Sequence, residues 1–124
     1  MIHLDTHVVI WLAERRESTL STTARRTLDR EPIAISAMVV LELETLHERG
    51  KLRNEPDRVI GILERNAGLS RSPATLDAVV DAARTFAWTR DPFDRLIVAN
   101  AMADGVRLLT ADDIILRHFK DAVW

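Results

Sequence analysis

The stretch DPFDRLIVANAMADGVRLLTAD, residues 91–112, contains a helix, a stop and a strand in one legible run. Asp91 suits an N-cap, Pro92 the first helical position, where its missing N–H costs nothing, and Asp94 the third. Apolar residues then recur at Leu96, Ile97, Val98, Ala101 and Met102 with helical spacing, and Gly105 fits the left-handed position after the last turn. Val106-Arg107-Leu108-Leu109 is a short strand, and Thr110 is placed to cap a short helix carrying Ile114, Ile115 and Leu116.

The same alternation extends outward in both directions. Ile2-His3-Leu4 is a strand ending at Asp5, and Val8 to Leu12 continue as a buried helix after Thr6-His7. Ser21 caps a helix through about Asp29; Pro32 to Ile35 form a second strand; Ser36 caps a helix from Ala37 that stops at Gly50. Another helix covers Asp57 to Asn66, a weak strand lies within Leu69 to Ser72, and Pro73 starts a helix from Ala74 to Phe86. Ala122-Val123-Trp124 closes the chain as a strand. Strands separated by helices imply right-handed crossovers, hence an α/β chain: a three-layer α/β/α sandwich around a mostly parallel sheet. Without repeat, linker or low-complexity tract, residues 1–124 read as one domain.

Composition narrows the chemistry. With 47% hydrophobic and 29% charged residues the chain is an ordinary globular protein, with no apolar run of transmembrane length and no signal-peptide start. The absence of cysteine excludes disulfides, thiolate zinc sites and a cysteine nucleophile. Four scattered glycines make no phosphate-cradling loop. The net charge of −2 argues against a strongly basic nucleic-acid surface. Arg15-Arg16, Arg25-Arg26-Arg30 and Arg49-Lys51-Arg53 are solvated faces or a basic rim. The expected location is the cytoplasm.

Four acids fall where a soluble protein has little structural use for them. At about 100° per residue, Glu42 lies within the stripe of Met38, Val39, Leu43 and Leu46, with Glu44 and Glu48 opposite. Asp94 lies on the buried side of its helix, although a capping box with Asp91 explains it equally well. Asp5 ends the first strand and Asp112 follows the strand Val106 to Leu109, and ligands of open parallel sheets collect at such carboxyl ends. Asp112 and Asp113 could equally serve the dipole of a short helix. Two carboxylates about 4 Å apart repel by about 4 kcal/mol at an effective dielectric near 20, and a divalent cation reverses that sign. Oxygen ligands without cysteine or a paired histidine motif select Mg²⁺ or Mn²⁺ over zinc. His3, His7, His47 and His118 show no ligand spacing, and Trp11, Trp88 and Trp124 read as core or dimer contacts.

Three blocks bring a resemblance: Leu4-Asp5-Thr6-His7-Val8-Val9-Ile10-Trp11-Leu12; Ile35-Ser36-Ala37 through Leu41-Glu42; and Asp91-Pro92-Phe93-Asp94-Arg95-Leu96-Ile97 on to Leu108-Leu109-Thr110-Ala111-Asp112. In this order and spacing they resemble PIN-domain ribonucleases of the VapC toxin type. The resemblance implies a metal-dependent endoribonuclease with Asp5, Glu42, Asp94 and Asp112 as its acidic quartet. Asp5 and Asp94 would be direct ligands of Mg²⁺ or Mn²⁺, Glu42 would complete the shell or orient water, and Asp112 would act through water or a second ion. Thr110 would supply a hydroxyl beside the site, as would Thr6 and Ser36 unless they serve as caps. The resemblance also implies an RNA substrate, a cognate antitoxin and a homodimer. Leu41 replaces the aromatic residue that many relatives carry before the helical glutamate, and Glu44 stands two residues on as a competitor. Two other readings use the same acids: a non-catalytic module docking a basic peptide, and a phospho-accepting receiver-like domain, which lacks a suitably placed lysine.

Overall fold

The computed structural model describes all 124 residues. Five strands form one sheet: β1 (Ile2–Leu4), β2 (Ile33–Ile35), β3 (Ser70–Arg71), β4 (Arg107–Leu109) and β5 (Ala122–Val123). They lie in the order β3-β2-β1-β4-β5, and every pairing is parallel. Seven helices flank the sheet: α1 (Thr6–Ala13), α2 (Thr22–Arg30), α3 (Ala37–Glu48), α4 (Pro56–Ala67), α5 (Leu76–Ala83), α6 (Pro92–Asp104) and α7 (Asp113–His118). None is long and apolar enough to cross a membrane.

Consecutive residues of β1 and β2 are all buried, the mark of a parallel sheet covered on both faces. Leu4, Ile35, Leu43, Ile60, Ile97 and Leu108 are among the largest fully buried side chains of the continuous core. Burial of each stabilises the fold by about 1.5–3 kcal/mol. The topology has a consequence for function. Because β1 is central, with the chain running from it through β2 to β3 on one side and then crossing to β4 and β5 on the other, its carboxyl end opens a crevice at the switch point. Asp5 follows β1 directly, and Asp112 lies three residues beyond β4.

Side-chain capping sets most helix starts. The Ser21 and Ser36 hydroxyls accept from the amides of Ala24 and Val39, at 2.9 and 3.3 Å, and the Asp91 carboxylate accepts from Asp94 at 3.0 Å. Gly105 takes φ of +65°, so α6 turns into β4 without a Cβ penalty.

Two sequence expectations need correction. The helix expected over Ala74 to Phe86 is shorter at both ends. Thr75, not Pro73, opens α5, its hydroxyl accepting from Ala78 N. At the far end the Arg95 guanidinium donates to Ala83 O at 3.0 Å and Phe86 O at 2.8 Å, so a side chain from α6 satisfies carbonyls at the end of α5 and beyond it. The second correction concerns Thr110, which does not cap α7. Asp112 does, through Oδ1 to the amides of Ile114 and Ile115, leaving the Thr110 hydroxyl free to turn towards Asp5. A short 3-10 turn at Glu17–Thr19, without an apolar stripe to announce it, was not expected.

Candidate active site

The end of β1 fixes the first acid. Asp5 is 7% exposed, with its own amide donating to Leu109 O at 3.0 Å, which ties it to β4. Its carboxylate accepts from Thr6 N at 2.8 Å through Oδ1 and from the Thr110 hydroxyl at 2.6 Å through Oδ2. Thr110 Oγ1 in turn accepts from Asp112 N at 3.0 Å, so one buried threonine links two acids from different connections. Burial pushes the Asp5 pKa up, and the bonds from Thr110 and Thr6 partly offset that rise.

Glu42 projects from the middle of α3, half-buried, on the side of the buried Val39 and Leu43. Burial raises its pKa; the nearby Thr6 hydroxyl works against the rise and the Asp5 charge adds to it. That hydroxyl is fully enclosed and has no partner in good hydrogen-bonding geometry, so its hold on Glu42 is a loose one. Glu44 is exposed and faces a separate hollow with His47, Glu55 and Asp57.

Asp94 is the least compensated acid. Its backbone amide donates to Asp91, yet the Asp91 amide takes Thr89 Oγ1 at 3.3 Å, so the return bond of a capping box is not made. The Asp94 carboxylate is left to the crevice, and its pKa is pushed up to about 7. Burial is the largest cause, followed by the charges of Asp91, Asp5, Asp112 and Glu42. Every influence on it raises the value.

These side chains share one pocket of about 400 Å³, lined by Asp5, His7, Trp11, Glu42, Asp91, Asp94, Ala111 and Asp112. All four acids singled out from sequence thus meet, while Thr110 stands behind Asp5 and Ser36 is occupied as a cap. Asp91, read from sequence as a cap alone, is both cap and wall. His7 and Trp11 were not expected at the site; their places two and six residues beyond Asp5, on the helix that it opens, were the signal available. None of the clustered arginines lines this pocket; Arg26 and Arg30 face a different hollow with Glu31 and Arg107.

A larger hollow of about 590 Å³, lined by Phe86, Trp88, Met102 and Phe119 among others, lies apart from the acids and offers no comparable chemistry. In the acidic pocket the donors are carboxylate oxygens, which suit Mg²⁺ or Mn²⁺. The acids line its walls without closing on a point: no three acidic or histidine side chains stand as a ready ligand set. The donor chemistry fits a hard dication, and the unrelieved repulsion on Asp94 is the physical reason to bind one.

Comparison with known proteins agrees with this architecture. Among solved structures, the chain resembles one described as VapBC2 from Rickettsia felis bound to a DNA fragment from their promoter, with a TM-score of 0.66, 19% identity, and coverage of 94% of this chain and 92% of that one. No curated protein matches significantly. The family model for the PIN domain matches residues 2–121, nearly the whole chain. The chain therefore belongs to the PIN domain family.

Proposed function

We propose that the chain is a metal-dependent endoribonuclease that cleaves an RNA phosphodiester by attack of water. The observation that carries this reading is the convergence of five carboxylates on one pocket, with Asp94 held at a pKa of about 7 by burial and by the others. Structural acids are normally answered by donors or bases; strongly perturbed acids in a cleft mark a working site.

Asp5 and Asp94 would hold Mg²⁺ or Mn²⁺, with Glu42 completing the set and Asp112 acting through water or a second ion. Such an ion supplies charge neutralisation at the phosphate and an acidified water. The chain's own contribution is placement. Thr110 and the Thr6 amide fix the Asp5 carboxylate from behind, so its orientation does not depend on the ligand. Asp112 keeps Oδ1 for the α7 amides, leaving Oδ2 for the pocket. Glu42, half-buried with its pKa raised by burial, is placed to orient the attacking water.

The resemblance to VapC toxins and the fold match to VapBC2 extend the proposal to a toxin restrained by an antitoxin, working as a homodimer in the cytoplasm. The alternative, a non-catalytic module docking a basic peptide, draws on the same negative pocket. RNA cleavage with and without Mg²⁺ separates the two. Wild type should cleave only with the ion, and Asp5→Asn and Asp94→Asn should lose roughly two to four orders of magnitude. Equal activity in all three would end the enzyme reading.

A further inference from the structure

The carboxylates account for a metal and, through it, a phosphate, and leave the pocket's other wall unexplained. That wall is aromatic. His7 and Trp11, one turn apart on α1, line the pocket, and their rings lie 6.0 Å apart at 49°. Behind them Trp124 meets Trp11 at 5.7 Å and 54°. His7 is exposed, and Trp11 and Trp124 are partly so.

Trp88 provides the contrast. It stacks on both Phe86 and His118, each 5.2 Å away and nearly parallel, at 19° and 12°. Parallel rings of the chain already occupy it, as in a packing role. The Trp11 ring instead meets its two neighbours tilted, so no parallel ring covers its faces, and it borders the acids. A surface so placed suits a flat, uncharged group attached to a phosphate that a cation on the acids would hold.

We propose that His7 and Trp11 form a stacking platform for a nucleobase of single-stranded nucleic acid, beside the acidic wall where a dication would hold the adjoining phosphate. The platform rests on the nuclease reading for its position, and adds to it how the strand is gripped. Carboxylates repel an approaching backbone, and no arginine or lysine lines the pocket to offset this. Stacking on an aromatic face adds affinity that does not depend on charge and tolerates any base. The platform therefore selects unpaired strands, whose bases are free to turn outward, over duplex.

The test uses Asp94→Asn as background, since it removes one pocket charge and, on the proposed function, stops cleavage. Affinity is measured by fluorescence anisotropy for a labelled single-stranded RNA of about 12 nucleotides, and by competition with inorganic polyphosphate, which carries the charge without bases. Trp11→Leu, which keeps apolar volume against the core, should weaken RNA binding by roughly five- to 150-fold. Trp11→Phe should retain most of the affinity, and neither change should move polyphosphate binding. Melting temperatures identify any variant that fails to fold; if Trp11→Leu does, weaker RNA binding by His7→Ala than by Trp11→Phe carries the test, and equal binding by the two overturns the platform. No RNA binding in the background, equal loss for RNA and polyphosphate, no loss in Trp11→Leu, or a changed oligomeric state as its only effect would each overturn the platform. The nuclease reading is judged separately, by Mg²⁺-dependent cleavage in the otherwise unmodified chain. Cleavage without any Trp11 effect sinks only the platform; a Trp11 effect without cleavage sinks only the nuclease.

Discussion

His3 and Asp5 stand two residues apart in the chain, both buried, and each is near other ionisable groups. The two surroundings differ in how charge is answered. Around His3 a single carboxylate, Asp104, is met from several sides: Ser72 Oγ donates to it at 2.5 Å, Asn100 Nδ2 at 3.3 Å, and His3 Nε2 lies 2.9 Å away, close though not aligned as a hydrogen bond. Asn100 also donates to Ser72 at 2.6 Å, so β1, α6 and the segment after β3 are tied by one polar cluster. Around Asp5 five carboxylates share a pocket, and the donors present are threonine hydroxyls and backbone amides. Asp94 receives none of them. A carboxylate answered by donors holds elements together; carboxylates left facing one another keep free energy in reserve for a ligand.

The contrast predicts opposite responses to change, and the polar cluster gives the largest effect on stability. Asp104→Ala leaves Ser72 and Asn100 without their common acceptor and His3 without its neighbouring carboxylate, and should lower stability by about 1–3 kcal/mol in urea unfolding. Cleavage by the protein that remains folded should be unchanged. If Asp104→Ala instead abolished cleavage at full stability, the division between the two regions would be wrong.

Titration sharpens the same comparison. Asp94 has its pKa raised in the fold from 3.8 to about 7, so its contribution to stability is fully present below about pH 4 and is lost as pH rises through 7. His3 has its pKa lowered from 6.5 by burial, against the pull of Asp104, so its contribution is present above 6.5 and is lost as pH falls. In chelator at pH 8, Asp94→Asn should therefore be more stable than wild type. The full shift corresponds to about 4 kcal/mol, and solvent screening of a half-exposed carboxylate cuts this to roughly 1–2 kcal/mol. The gain should vanish near pH 4, where wild type is already protonated. A gain independent of pH would mean that the buried, repelled charge of Asp94 is not its source.

The smallest effect separates the neighbouring glutamates. Glu44→Gln, on the exposed side of α3, should stay within about 0.5 kcal/mol of wild type and cleave normally. Glu42→Gln should impair cleavage. The reverse result would move the site to the other face of α3.

Much of this arrangement is legible in the chain. Asp5, Glu42, Asp94 and Asp112 could be picked out because each violates a local expectation: an acid at a strand end, or an acid within an apolar stripe. The alternation of short strands and capped helices implies the layered parallel sheet in the same way. What stayed hidden depends on contacts distant in sequence. Arg95 ends α5 from the neighbouring helix, and Thr110 faces an acid 105 residues away instead of capping α7. The His3 cluster joins side chains from three parts of the chain, and no periodicity encodes such a meeting. Asp91 misled by doing two things at once, since its capping role fully accounts for it in sequence.

The central claim is that the pocket's repulsion is relieved by a dication held between Asp5 and Asp94. Calorimetric titration of Mn²⁺ into wild type, Asp94→Asn and Glu44→Gln tests it most directly. The account predicts saturable binding in wild type, unchanged in Glu44→Gln and weakened about tenfold or more in Asp94→Asn. Wild type that binds no Mn²⁺, or Asp94→Asn that binds it equally well, would contradict it.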